Sequence, residues 1–143
     1  MAKQNTSILN PIPFVLIVAY LCIGFVPNWE AVDKIAPQWL TMGIINLAST
    51  LYVLWGTEAY EHKISKVVKS AITLFYLGFF IWAGLSYFYA INPTEVLVNM
   101  ARHTNTFFMY VYLALFIQNF KDKDKLFSWI LVLILTIEVY AVL

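Results

Sequence analysis

Polar residues cut the chain into long apolar runs separated by short charged breaks. Five runs stand out, at about 12–26, 37–55, 68–90, 98–118 and 126–143. Crossing a hydrocarbon core as helix takes about 20 apolar residues, and the chain supplies that length repeatedly. The first run is short unless it borrows Ile8 and Leu9, with Pro11 and Pro13 suiting an entry turn better than a helix interior. None of the runs alternates apolar and polar residues as barrel strands do, and helices satisfy every backbone group internally. The pattern therefore predicts an all-α fold: a polytopic transmembrane helix bundle of about five spans, forming one domain over 1–143. Short connections make sequential spans antiparallel neighbours.

Composition supports lipid as the solvent for most of these residues. The 143 residues are 62% hydrophobic and 12% charged, with mean hydropathy +0.75, which lies well outside the range of soluble domains. The net charge of +1 offers no broad field for nucleic acid or polyanions. Membrane lipid and other transmembrane helices are the expected partners. Cys22 is the only cysteine, so an intrachain disulfide and a thiolate metal site are excluded. Its setting, "VAYLCIGF", suits a packed, inert thiol. The first run also lacks a small-residue cleavage site and is expected to stay in the mature protein.

The few charges matter by position. Lys3, Lys63, Lys66, Lys69, Lys121, Lys123 and Lys125 fall on one side of the array and only Lys34 on the other. The excess places the N-terminus in the cytoplasm. Trp29, Trp39, Tyr87 and Tyr89 then mark the outer interface, and Trp55, Tyr60 and Trp129 the inner one. "KDKDK" at 121–125 reads as a solvated cytoplasmic turn, and His62 in "TEAYEHKISK" as a solvated loop residue.

Asn92-Pro93-Thr94-Glu95 reads as a helix start. Asn92 caps, Pro93 takes the first helical position, and Glu95 sits where it can reach back to the cap. Arg102 follows about 13 Å further along, just under the outer headgroups. Three roles compete for it: a snorkelling anchor, an ion pair with Glu138, or a contact to a lipid-linked phosphate through paired hydrogen bonds. Glu138 stands at a similar depth, about 18 Å up the fifth helix from the cytoplasmic end. His103 points roughly 100° away from Arg102 on the helix and has no ligand-spaced partner. It reads as a hydrogen-bonded structural histidine more readily than as a general base, and no metal or other cofactor is expected.

Asn46, Ser49 and Thr50, with Thr104, Asn105 and Thr106, offer hydrogen bonds between helices. Ala83, Ser86 and Ala90 form a small-residue stripe suited to close helix approach. No phosphate-binding loop, nucleophile elbow, HExxH motif or convergent carboxylate pair occurs, so no catalytic residue is assigned within the chain.

The run "FFIWAGLSYFYAINPTEVLVNMARHTNTFFMYVYLALFI" (79–117) resembles the N-terminal membrane region of the O-antigen ligase and polymerase family. The resemblance is carried by Ser86, by Ile91-Asn92-Pro93, by Glu95 and by the early Arg102 of the next helix. The opening "NPIPFVLIVAYLCIGFVPNWEAVDKIAPQWL" is similar to family members from Bacteroidetes-type bacteria. The resemblance implies part of a multi-pass glycosyltransferase of the bacterial inner (cytoplasmic) membrane, building cell-envelope glycans such as lipopolysaccharide. Its donor would be an undecaprenyl-diphosphate-linked glycan, used without a metal. The family's catalytic histidine and arginines belong mainly to a large periplasmic loop and later helices, which nothing here matches, and His103 stands in the wrong element to take that role. The expected part is thus the N-terminal scaffold of a longer enzyme, and the final "TIEVYAVL", without a polar tail, fits a chain that continues. A small non-catalytic membrane subunit packing against a larger complex is the alternative. A transporter half is disfavoured by the absence of internal symmetry.

Overall fold

The computed structural model of the chain describes residues 11–27, 29, 30, 33, 35–120 and 122–142, with the side chains of 137, 138 and 140–142 outside the description. Lys3, Lys34 and Lys121, used above for orientation, and the Glu138 side chain therefore lie outside the described residues. Among those described, the architecture is all-helical with no strand. It comprises α1 (Pro11–Leu21), a 3-10 turn (Cys22–Phe25), α2 (Ala36–Trp55), α3 (Thr57–Val68), α4 (Ala71–Leu85), a second 3-10 turn (Ser86–Phe88), α5 (Pro93–Ile117) and α6 (Lys123–Val142).

The predicted apolar runs become helices for recognisable local reasons. Pro11 and Pro13 both fall in the first turn of α1, where their missing N–H groups leave no bond unmade. Pro37 occupies the same kind of position in α2. In α5 the Asn92 side chain accepts from the Glu95 backbone N–H at 3.4 Å and Pro93 opens the helix. The start thus falls where the Asn-Pro-Thr-Glu pattern puts it, although the Glu95 carboxylate forms no return bond to the cap.

One break is not a loop. "TEAYEHKISKVV" folds as α3, bent by 117° from α2 across Gly56. Its Tyr60, Ile64 and Val67 recur at helical spacing, with Tyr60 and Val67 buried and Ile64 against the core. Charges occupy the other face, and His62 is exposed on the helix. Ser70 then caps α4 by accepting from the Thr73 N–H at 3.3 Å. The buried Thr73 hydroxyl donates to the Val67 carbonyl at 2.6 Å, which ties the end of α3 to the start of α4.

Helix α5 is the axis of the fold, packing against α1, α2, α3 and α4. Its C-terminal half carries the core: Leu115 and Phe116 are essentially inaccessible, joined by Ile17, Val53, Tyr60, Tyr112, Phe120 and Leu126. The Phe116 ring meets Tyr52 and Tyr60 edge-on at 6.0 and 6.3 Å and stacks near Tyr112 at 6.2 Å. Such arrangements are favoured by the ring quadrupoles. At Gly84 of α4, an added side-chain carbon would come within 3.3 Å of the Met100 methyl on α5. Ala83, Ser86 and Ala90 of the small-residue stripe are partly covered at the same end of α4.

The outer faces are strongly apolar. Ile72, Phe75, Phe79, Ile81, Trp82 and Leu85 of α4 are exposed, as are Leu40, Ile44, Leu47, Leu51 and Leu54 along one stripe of α2. Helix α6 reaches the core through Leu126 and Ile130 and exposes Phe127, Trp129, Leu131, Val132 and Leu135. Among the described residues one stretch, Ala71–Phe88, is long and apolar enough to cross a membrane by itself, with mean hydropathy 1.6. Helices α2 and α3 pass that test only as a bent pair.

Candidate functional site

Polar groups gather at the end of the fold where α5 begins. The segment carrying Asp33 is turned by Trp29 and Glu30, whose φ angles of 44° and 58° are left-handed. Side chains disfavour that region. Asp33 Oδ1 accepts from the Ile35 N–H at 3.1 Å, which leaves Oδ2 to face α5. Arg102 Nη2 donates to it at 2.7 Å.

The described partner of Arg102 is Asp33, 69 residues away in sequence, while the Glu138 side chain lies outside the described residues. The guanidinium also lies 5.8 Å from the Trp39 ring centre, within reach of a cation–π attraction. With side chains 30% and 47% exposed, the pair contributes no more than about 1 kcal/mol. Asp33→Arg alone is expected to lower a thermal midpoint slightly, and Asp33→Arg with Arg102→Asp to restore it.

Asp33, Ala36, Trp39, Val98, Ala101, Arg102 and Asn105 line an open cleft of about 290 Å³ between α2 and α5. Asn105 joins its floor to the interior. Its amide donates to the Trp39 carbonyl at 3.1 Å, while Asn46 Nδ2 donates to the Asn105 carbonyl at 2.9 Å and to its side-chain oxygen. Deeper, the Tyr20 hydroxyl lies 2.8 Å from Asn46 Oδ1 and 3.0 Å from Ser49 Oγ. Thr50 and Tyr112 share a 2.6 Å hydrogen bond one turn further. A polar seam thus runs from the cleft into the contact between α1, α2 and α5. No buried side-chain nitrogen or oxygen among the described residues lacks a partner, so the seam cross-links helices and presents no poised reactive group.

The other expected residues have local roles. Thr104 and Thr106 donate back to the Met100 and Arg102 carbonyls of their own helix, at 2.8 and 3.1 Å. The His103 ring packs edge-on against Phe79 at 5.8 Å, and its backbone carbonyl accepts from Tyr76 Oη at 2.9 Å. Cys22 is half-buried in the first 3-10 turn. No cluster of potential metal ligands occurs among the described residues.

No family model, curated protein or solved structure matches the chain.

At the opposite end, α3 forms a second polar contact that the loop reading missed. Asn119, just after α5, donates to the Tyr60 hydroxyl at 2.6 Å and accepts from Lys63 Nζ. Lys63 also lies 5.6 Å from the centre of the Tyr60 ring. Burial pushes the Tyr60 phenol above its ordinary pKa. The apolar spacing of Tyr60, Ile64 and Val67 was the available signal for this helix.

Proposed function

We propose that the chain is a multi-pass membrane scaffold, the N-terminal helix bundle of an O-antigen ligase-like glycosyltransferase of the bacterial inner membrane. The observation that carries the membrane part is α4: only 6% of the apolar stretch Ala71–Phe88 is buried within the protein. Water would penalise that surface at roughly 25 cal/mol per Å², whereas lipid accepts it. The exposed stripes of α2 and α6 extend the same surface, and the polar seam turns inward as expected of helices that associate in lipid.

The enzyme class rests on the resemblance of residues 79–117. A capped start at Asn92, with Arg102 held at the headgroup end of α5, fits that reading. In it the chain orients the donor's lipid end, with Arg102 as a phosphate contact, and catalysis belongs to later elements. The cleft around Arg102 is too small and too open to enclose a growing glycan, which supports a scaffold role over a catalytic one.

Disrupting the gene is expected to stop glycan transfer and to leave the undecaprenyl-diphosphate-linked donor unconsumed. An unchanged surface glycan and an unchanged donor pool contradict this reading. The alternative, a non-catalytic subunit docking through the exposed faces of α4 and α6, is favoured if the chain instead co-purifies stoichiometrically with a larger membrane complex.

A further inference from the structure

We infer that the cleft between α2 and α5 binds the headgroup of an ethanolamine phospholipid, with its phosphate on Arg102 and its ammonium on Asp33. The inference rests on the membrane reading above and replaces the generic phosphate contact with one headgroup chemistry.

Three observations carry it. First, among its described lining residues the cleft has one cation and one anion side by side, Arg102 and Asp33 at 2.7 Å. A headgroup carrying only negative charge would gain from only the Arg102 half of the pair. A headgroup with its own adjacent positive and negative charges matches both halves.

Second, both partners keep binding capacity. A guanidinium has five N–H donors, and only Nη2 of Arg102 is engaged among the described residues. Asp33 spends one lone pair of each oxygen, on the Ile35 N–H and on Arg102, and its side chain remains 47% exposed. A primary ammonium can donate to those oxygens, whereas a quaternary choline has no N–H.

Third, size and walls fit. About 290 Å³ lies just below the roughly 300–1,000 Å³ of pockets that enclose drug-sized ligands. Ala36, Val98 and Ala101 give apolar flanks.

The test is native mass spectrometry of the full chain released from nanodiscs containing equal parts dioleoyl phosphatidylethanolamine, phosphatidylcholine and phosphatidylglycerol. The expected result is retention of phosphatidylethanolamine by about tenfold over each of the others, the weight of one charge-assisted contact. Asp33→Asn is expected to bring the ethanolamine-to-choline ratio to within about twofold, and Arg102→Lys, which keeps the cation but loses the fork, to weaken retention of all three. Unchanged thermal midpoints separate these effects from unfolding. Equal retention by the wild type, a preference for phosphatidylglycerol, or an Asp33→Asn variant that keeps the wild-type ratio would overturn the inference. Failure of the chain to enter nanodiscs would instead count against the membrane reading.

Discussion

Phe116→Ala is expected to be the most damaging single substitution, lowering stability by about 3–5 kcal/mol. Phe116 is fully buried and its ring meets Tyr52, Tyr60 and Tyr112 together. These partners come from α2, α3 and α5, so the cavity would open where the bent α2–α3 pair meets the central helix. Its walls are aromatic side chains on three helices and cannot close without shifting a backbone. Phe116→Leu, which keeps most of the volume, should lose distinctly less. Thermal unfolding in detergent, followed by tryptophan fluorescence, compares the two. A Phe116→Ala midpoint equal to wild type would mean that the ring cluster does not hold this end of the fold together.

The second large effect is expected at Asn46. Its amide donates twice to Asn105 and its oxygen is 2.8 Å from the Tyr20 hydroxyl, so a single side chain joins α1, α2 and α5. Asn46→Ala takes the amide donor from the Asn105 side-chain oxygen and leaves Tyr20 with Ser49 alone, at about 1–2 kcal/mol. Asn105→Ala should cost a similar amount, and the double variant less than the sum, because both remove the same bonds. Strict additivity in that cycle would show that the two amides act independently and that the seam is not a unit. A smaller effect belongs to the surface pair of Asp33 and Arg102, which water screens.

The helical class and most element boundaries were legible because their causes are local. A proline in a first turn, an Asn-Pro-Thr-Glu cap and an apolar run of helical length each act within a few residues, and α2 and α5 follow them closely. Asn46, Ser49, Thr50 and Asn105 were also readable as cross-helix polar residues, since such groups seldom sit in apolar helices without partners. Two features were not read. Helix α3 was hidden by its charges: Glu58, Glu61, His62, Lys63 and Lys66 made the stretch look like a solvated break, although Tyr60, Ile64 and Val67 keep helical spacing. The partner of Arg102 was hidden by distance, because helix depth can be counted from a sequence but the fold of the segment before α2 cannot. Trp29 and Glu30 of that segment are left-handed, and Asp33 is anchored by the Ile35 N–H.

That the exposed face of α4 lies in hydrocarbon is tested most directly by spin labels. On a Cys22→Ala background, which removes the only native thiol, single cysteines at Phe75, Phe79 and Trp82 would carry nitroxides on the chain reconstituted in liposomes. The expected result is high collision with oxygen and low collision with a water-soluble nickel chelate at all three positions, with depth changing steadily along the helix. Free access of the nickel chelate to Phe75 and Phe79 would show that this face meets water, and would contradict the membrane scaffold.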